Sequence, residues 1–140
     1  QGISIDMPVY SYLTCARAEE TIQVEPKEVI IVEGILLLSH TRMRERMDIK
    51  IFVDAEADDR LMRIIRRDVK ERGRTFHEVL EHYNKYVKPM HLQFIDPSKR
   101  YAEIIVPQGG HNHVAIDMIT SRIQIAQQSK QTQAKIVINH

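Results

Sequence analysis

A single cysteine, Cys15, leaves no partner for an internal disulfide and too few thiolates for a multi-cysteine zinc site. The seven histidines show no His-Glu-x-x-His or other zinc spacing, so they read as surface or loop residues. No apolar run approaches the roughly 18 residues of a membrane span. The opening Gln1-Gly2-Ile3-Ser4-Ile5-Asp6 has neither a basic region nor an apolar stretch, so no secretory signal is read there. An excess of one charge is lacking too. Twenty Lys and Arg stand against 19 Asp and Glu, a net charge of +1, which argues against a nucleic-acid-coating protein and a membrane-surface binder. These absences fit a cytosolic enzyme.

Hydrophobic residues at 43% and charged residues at 28% are ordinary globular usage. A chain of 140 residues can form one compact domain or a large piece of a bigger one, and Gln1 in first place favours the piece. Residues 9–14 and 21–25 are β-prone and predict the two arms of a hairpin. Val29-Ile30-Ile31-Val32 has the pattern of a strand buried on both faces of a parallel sheet, and Glu33-Gly34 ends it. Thr41–Met47 predicts a short helix, Ile49–Val53 a second buried strand and Ile104–Val106 a third. Leu61, Ile64, Ile65 and Val69 follow helical spacing from Ala57 to Lys70. Thr75 and Glu78 form a capping box for a helix reaching about Val87, limited by Pro89. Val114–Ala126 predicts a last amphipathic helix, and residues 127–140 a tail. Strands alternating with helices indicate an α/β fold with a parallel sheet. Three strands are few where about five are usual, so the sheet reads as incomplete.

Three groups could carry chemistry. Glu33 ends a strand, and the carboxyl ends of strands face the ligand crevice of an open α/β sheet, where an acid can help hold Mg²⁺. The same residue could equally make a turn hydrogen bond. Arg60, Arg63, Arg67, Lys70 and Arg74 recur at three- and four-residue intervals, flanked by Arg66 and Arg72. With Gly73 to bend the chain, they could close over a phosphoryl group; as a solvated helix face they would simply be neutralised by Asp58, Asp59, Asp68 and Glu71. Tyr10 and Tyr12 share one face of the first hairpin arm, suited to stacking on a base or to packing a sheet.

Taken together, the segments resemble the uridine kinase (uridine–cytidine kinase) family from about Met7 to Ile125. The carriers are Pro8-Val9-Tyr10-Ser11-Tyr12, Glu20-Thr21 with Val24-Glu25-Pro26, Val29 to Leu36, and Ile51-Phe52-Val53-Asp54. They continue with Arg67-Asp68-Val69-Lys70-Glu71-Arg72-Gly73-Arg74, Val87-Lys88-Pro89-Met90, Pro97 to Ala102, and Ile104-Ile105-Val106-Pro107. The resemblance implies a P-loop kinase-type parallel sheet with flanking helices and a β-hairpin. It also implies transfer of the γ-phosphoryl group of ATP or GTP to the 5′-hydroxyl of a pyrimidine nucleoside in salvage, with Mg²⁺, in a cytoplasmic homo-oligomer, commonly a tetramer. By position, Tyr10 would meet the base, Arg74 the nucleoside, Arg67 and Arg72 the phosphates as part of a lid over about 57–74, and Glu33 the metal.

The chain departs from the family where it has Cys15 at the hairpin's base-recognising position, usually histidine, and His82 at a position usually glutamine. It departs again at Ile64, where a second consecutive arginine is usual, and at Gln108, often basic. A thiol cannot reproduce the hydrogen bonds of imidazole, which implies altered pyrimidine specificity or drift in a decaying copy. None of the five glycines starts a Gly-x-x-x-x-Gly-Lys-[Ser/Thr] run, the loop that wraps phosphates, and the family's catalytic aspartate finds no match. The expectation is therefore a truncated chain: residues 1–126 as the carboxy-terminal portion of the domain, inactive alone. A non-catalytic nucleotide- or partner-binding relative is the alternative. A small arginine-rich nucleic-acid binder is a third reading, and phosphoribulokinase and pantothenate kinase match less well.

Overall fold

The computed structural model describes residues 2–11, 14–128 and 134–139. The hairpin is present, displaced toward the amino terminus: β1 (Ile5–Ser11) pairs antiparallel with β2 (Ala16–Val24), with an irregularity between Pro8 and Tyr10. Its register sets Ile5 opposite Val24 and Met7 opposite Ile22, so these four apolar side chains share one face, and all are exposed. Tyr12 lies outside the described residues.

The β-branched runs form β3 (Val29–Glu33), β4 (Ile49–Val53) and β5 (Ile104–Val106), and between β3 and β4 lies a fourth strand, β6 (Ala134–Asn139). The order β3-β6-β4-β5 is parallel at each pairing, which gives the expected α/β architecture with a small parallel sheet. Where the sequence predicts only a tail, the β-branched Ile136-Val137-Ile138 is paired on both sides, with Ile136 opposite Ile31 and Ile49. The expectation that β3 is buried on both faces is corrected: Ile30 is 43% and Ile31 55% exposed. β3 is a sheet edge, with β6 as its one strand neighbour among the described residues.

The core divides across β4 because successive side chains of a strand point to opposite faces. Phe52 meets Leu38 and Ile95 on one side, while Ile51 meets Val106 on the other. The second face is covered by α5 (His113–Gln128) through Ala115, Ile119 and Ile123. Glu103 ties β4 to β5, accepting from the Lys50 backbone N–H at 2.7 Å and pairing with Lys50 Nζ at 2.6 Å.

The remaining helices are α1 (Thr41–Arg44), α2 (Ala57–Glu71), α3 (Phe76–His82) and the short turn α4 (Lys88–Met90). Pro89 does not end the helical run as the sequence predicts. Wide π-helical turns at Tyr83–Val87 and His91–Ile95 flank α4, and a 3-10 turn follows over Asp96–Tyr101. Pro89 lies inside this continuous run, where its missing N–H removes one intrahelical hydrogen bond and the turns on either side are wide.

The predicted capping box is formed. The Glu78 N–H donates to Thr75 Oγ1 at 3.3 Å, and the Glu78 carboxylate accepts from the Thr75 N–H at 2.7 Å. That backbone N–H, then the Thr75 hydroxyl, hold the Glu78 carboxyl below the ordinary glutamate range. A carboxylate depressed on folding stabilises the fold above its unfolded-state pKa, and the contribution is lost as pH falls through the lower folded-state value. Stability measured by thermal unfolding across that acid range is therefore expected to fall more steeply in the wild type than in Glu78→Gln; identical curves would count against the box.

Candidate functional site

Because β4 and β5 are parallel, their carboxyl ends share one edge of the sheet, and the chain leaves each toward the same cleft. The Asp54 N–H donates to the Val106 carbonyl at 2.8 Å, and the Gly109 N–H to the Asp54 carbonyl at 2.9 Å, so the loop after β5 is fastened to the end of β4. Gln108 at φ 64° and Gly109 at φ 62° bend that loop through the left-handed region. Asn112 then caps α5, its Oδ1 accepting from the Ala115 N–H at 3.1 Å.

The cleft so formed measures about 450 Å³ and is lined by Asp54, Glu56, Arg63, Arg66, Gln108 and His111, among others. Arg63 and Arg66 project from α2, one turn apart. A Cβ added at Gly109 would meet Arg63 Nη1 at 3.3 Å, so the guanidinium lies close against the glycine. Among the described residues, neither Arg63 nor Arg66 forms a hydrogen bond or ion pair. Two guanidiniums that form no ion pair, in a cleft they share with Asp54, Glu56 and Asp59, can receive an anionic group at the carboxyl edge of a parallel sheet. Behind them Lys99 Nζ pairs with Asp54 Oδ2 at 2.9 Å. Nearby His91 is held below the ordinary histidine range by burial first and Arg60 next.

The cationic stripe predicted along α2 is divided among different partners. Arg60 Nη1 donates to the Ala55 carbonyl at 2.6 Å and serves the first turn of the helix. Arg63 and Arg66 line the cleft. Arg67, Arg72 and Arg74 gather on Asp68, which is 3% exposed. Arg67 Nε lies 2.8 Å and Arg72 Nη1 3.2 Å from Asp68 Oδ1, and Arg74 Nη1 lies 3.2 Å from Oδ2. The Arg74 N–H also donates to the Asp68 carbonyl at 3.1 Å. Gly73, at φ 65° with open space around it, makes the turn that returns Arg74 to the helix end. Val69, expected on the apolar face, is 40% exposed, whereas Asp68 beside it is buried.

The structure thus brings together three of the predicted site residues, Arg67, Arg72 and Arg74, and sets the others on separate elements. Tyr10 stands exposed on β1 opposite Arg17, and Cys15 lies in the hairpin turn at φ 51°. His82 ends α3 beside Tyr86, ring centroids 5.3 Å apart, above a depression lined by Glu78, Glu81, Asn84 and Lys85. Glu33 ends β3, exposed, at the same edge of the sheet as Asp54. None of these predicted residues lines the cleft itself. The cleft residues had a signal in the sequence: an acid after β4, a Gly-Gly pair after β5 and arginines three apart on the connecting helix. Among the described residues, no group of three His, Cys, Asp or Glu could hold a metal ion, and no helix is long and apolar enough to cross a membrane.

The family model described as phosphoribulokinase / uridine kinase family matches residues 1–115. The chain is 58% identical over 120 residues to a uridine kinase of Anoxybacillus flavithermus, covering 86% of this chain and 57% of the relative. It is 56% identical over 123 residues to one of Halalkalibacterium halodurans, covering 88% and 58%. To one of Bacillus subtilis it is 55% identical over 120 residues, covering 86% and 57%. The chain spans somewhat more than half the length of these curated relatives.

Proposed function

This chain belongs to the phosphoribulokinase / uridine kinase family, and from that membership we propose that it forms the nucleoside and lid side of a uridine/cytidine kinase-like phosphotransferase. In the proposed reaction the 5′-hydroxyl oxygen of a pyrimidine nucleoside attacks the γ-phosphorus of ATP or GTP. The bond from that phosphorus to the β,γ-bridging oxygen breaks, the nucleoside diphosphate leaves, and the hydroxyl proton passes to a base. The observation that carries this reading is the cleft at the carboxyl ends of β4 and β5, lined by Arg63 and Arg66, neither of which forms an ion pair, together with Asp54, Glu56 and Asp59. Developing charge on a transferred phosphoryl group is stabilised by positioned cations, and arginine supplies two donors in one plane.

Within this reading Arg67 and Arg72 face the phosphates, Arg74 and Tyr10 the nucleoside, and Cys15 and His82 modulate which base is accepted. Mg²⁺ would shield the phosphate charge. A single exposed Glu33 fits that ion, because Mg²⁺ keeps several waters and takes one or two carboxylates beside substrate phosphates. The family resemblance adds a cytoplasmic homo-oligomer to the proposal.

These 140 residues hold no Gly-x-x-x-x-Gly-Lys-[Ser/Thr] run, so turnover is expected only when such a loop is supplied. A chimera joining this chain to the part of the Bacillus subtilis uridine kinase outside the matched 120 residues is expected to phosphorylate uridine or cytidine with ATP and Mg²⁺. The 140 residues alone are expected to give no turnover. A folded chimera without activity, or an active isolated chain, would overturn the assignment.

A further inference from the structure

A carboxylate 3% exposed is costly unless its charge is met, and three guanidiniums crowded together repel unless something holds them. Asp68 answers both conditions, with its two oxygens accepting from Arg67 at 2.8 Å and Arg74 at 3.2 Å and with Arg72 Nη1 paired at 3.2 Å. We propose that Asp68 is a positioning residue that fixes these three arginines before any ligand arrives, setting Arg67 and Arg72 as a receptor for a polyphosphate chain and Arg74 beside them for the nucleoside. The proposal rests on the kinase reading above and names the residue that organises its lid.

Three features support a receptor over simple neutralisation of a helix end. The carboxylate is buried while its partners remain open: the side chains of Arg67, Arg72 and Arg74 are 46%, 30% and 41% exposed. Each guanidinium has five N–H donors in a fixed fork. Contact with Asp68 through Nε of Arg67 leaves the outer edge of that fork for a second anion, and contact through one Nη of Arg74 leaves its other donors for a neutral partner. Three guanidiniums meet on this one carboxylate, and the left-handed Gly73 fixes the spacing of Arg72 and Arg74. Holding the three long side chains in advance removes the ordering cost that a ligand would otherwise meet.

The two roles predict opposite signs for Asp68→Asn. If Asp68 only neutralises charge, its removal strengthens anion binding by adding net positive charge. If it positions the arginines, removal weakens binding despite that gain. Titration of the 140-residue protein with inorganic tripolyphosphate, followed by NMR at the arginine Nε–H groups, separates them. The wild type is expected to show a shift at Arg67. In Asp68→Asn the Arg67 Nε–H signal is expected to move to the position of a solvated arginine, with affinity about tenfold weaker. Equal or tighter binding by a folded Asp68→Asn overturns the proposal. So does a wild type whose Nε–H signals ignore tripolyphosphate, and in that case turnover by the chimera decides separately whether the kinase reading stands. Should Asp68→Asn fail to fold, the unliganded wild type still decides. Slow solvent exchange at Arg67 Nε–H supports preassembly, and exchange as fast as that of a solvated arginine rejects it.

Discussion

Replacing Phe52 by alanine is expected to lower the unfolding free energy by about 3–5 kcal/mol. The side chain is 2% exposed and is the centre of the cluster formed with Leu38 and Ile95, with Leu37, Met47 and Ala102 packed around it. Leu38 comes from the turn after β3 and Ile95 from the helical run before β5, so one ring fastens two distant parts of the chain to β4. Its removal would leave a cavity lined by groups whose backbones are held by the sheet and by helical turns, which limits collapse into the space. For a protein of ordinary marginal stability, about 5–15 kcal/mol, that loss is a large share of the whole. Urea unfolding followed by circular dichroism measures it, with Ile31→Ala as the matched control. Ile31 is 55% exposed, so its truncation should cost within about 0.5 kcal/mol. Similar losses for both variants would mean that the two faces of the sheet are packed differently from the description above.

The contrast between these residues also marks what sequence alone could tell. Val29–Glu33, Ile49–Val53 and Ile104–Val106 announce themselves as strands because β-branched runs bounded by turn residues are a local signal. Whether a strand is central or at an edge depends on its neighbours, which is why the exposure of Ile30 and Ile31 was not legible. β6 escaped for a related reason: its three β-branched residues follow a Gln-, Ser- and Lys-rich stretch, and its pairing with β3 and β4 joins residues about a hundred positions apart in the chain. The capping box at Thr75 and Glu78 was readable because both partners lie within one turn.

The candidate site divides in the same way. Helical spacing along Arg60–Arg74 predicts a shared cationic face, and family resemblance selects Arg67, Arg72 and Arg74 from it. Neither reveals that Arg63 and Arg66 line a separate cleft. Nor does either show that Asp68, one more acid in a mixed-charge helix, is buried while Val69 is exposed. That exchange depends on the Gly73 turn, which returns the chain so that Arg74 reaches Asp68 through both backbone and side chain.

In the active chimera, Arg67→Ala is expected to reduce turnover by about a thousandfold, the lower range for loss of an arginine that stabilises a transferring phosphoryl group. The effect should fall on kcat, with the KM for uridine nearly unchanged, because the interaction strengthens as charge shifts in the transition state. Arg74→Ala should behave differently. Its proposed partner is the nucleoside, bound in ground state and transition state alike, so the main change should be a higher KM for uridine. Neither substitution strips Asp68 bare: without Arg67 it retains Arg72 and Arg74, and without Arg74 it retains Arg67 and Arg72, so the buried carboxylate keeps two cations in each variant. Initial rates at saturating ATP with uridine varied separate the two roles. A kcat for Arg67→Ala within about tenfold of the parent would remove Arg67 from the phosphate side, since a cation acting on the reacting phosphoryl group is worth more than that. An equal split of both variants between kcat and KM would show that the three arginines act only through the structure they share on Asp68.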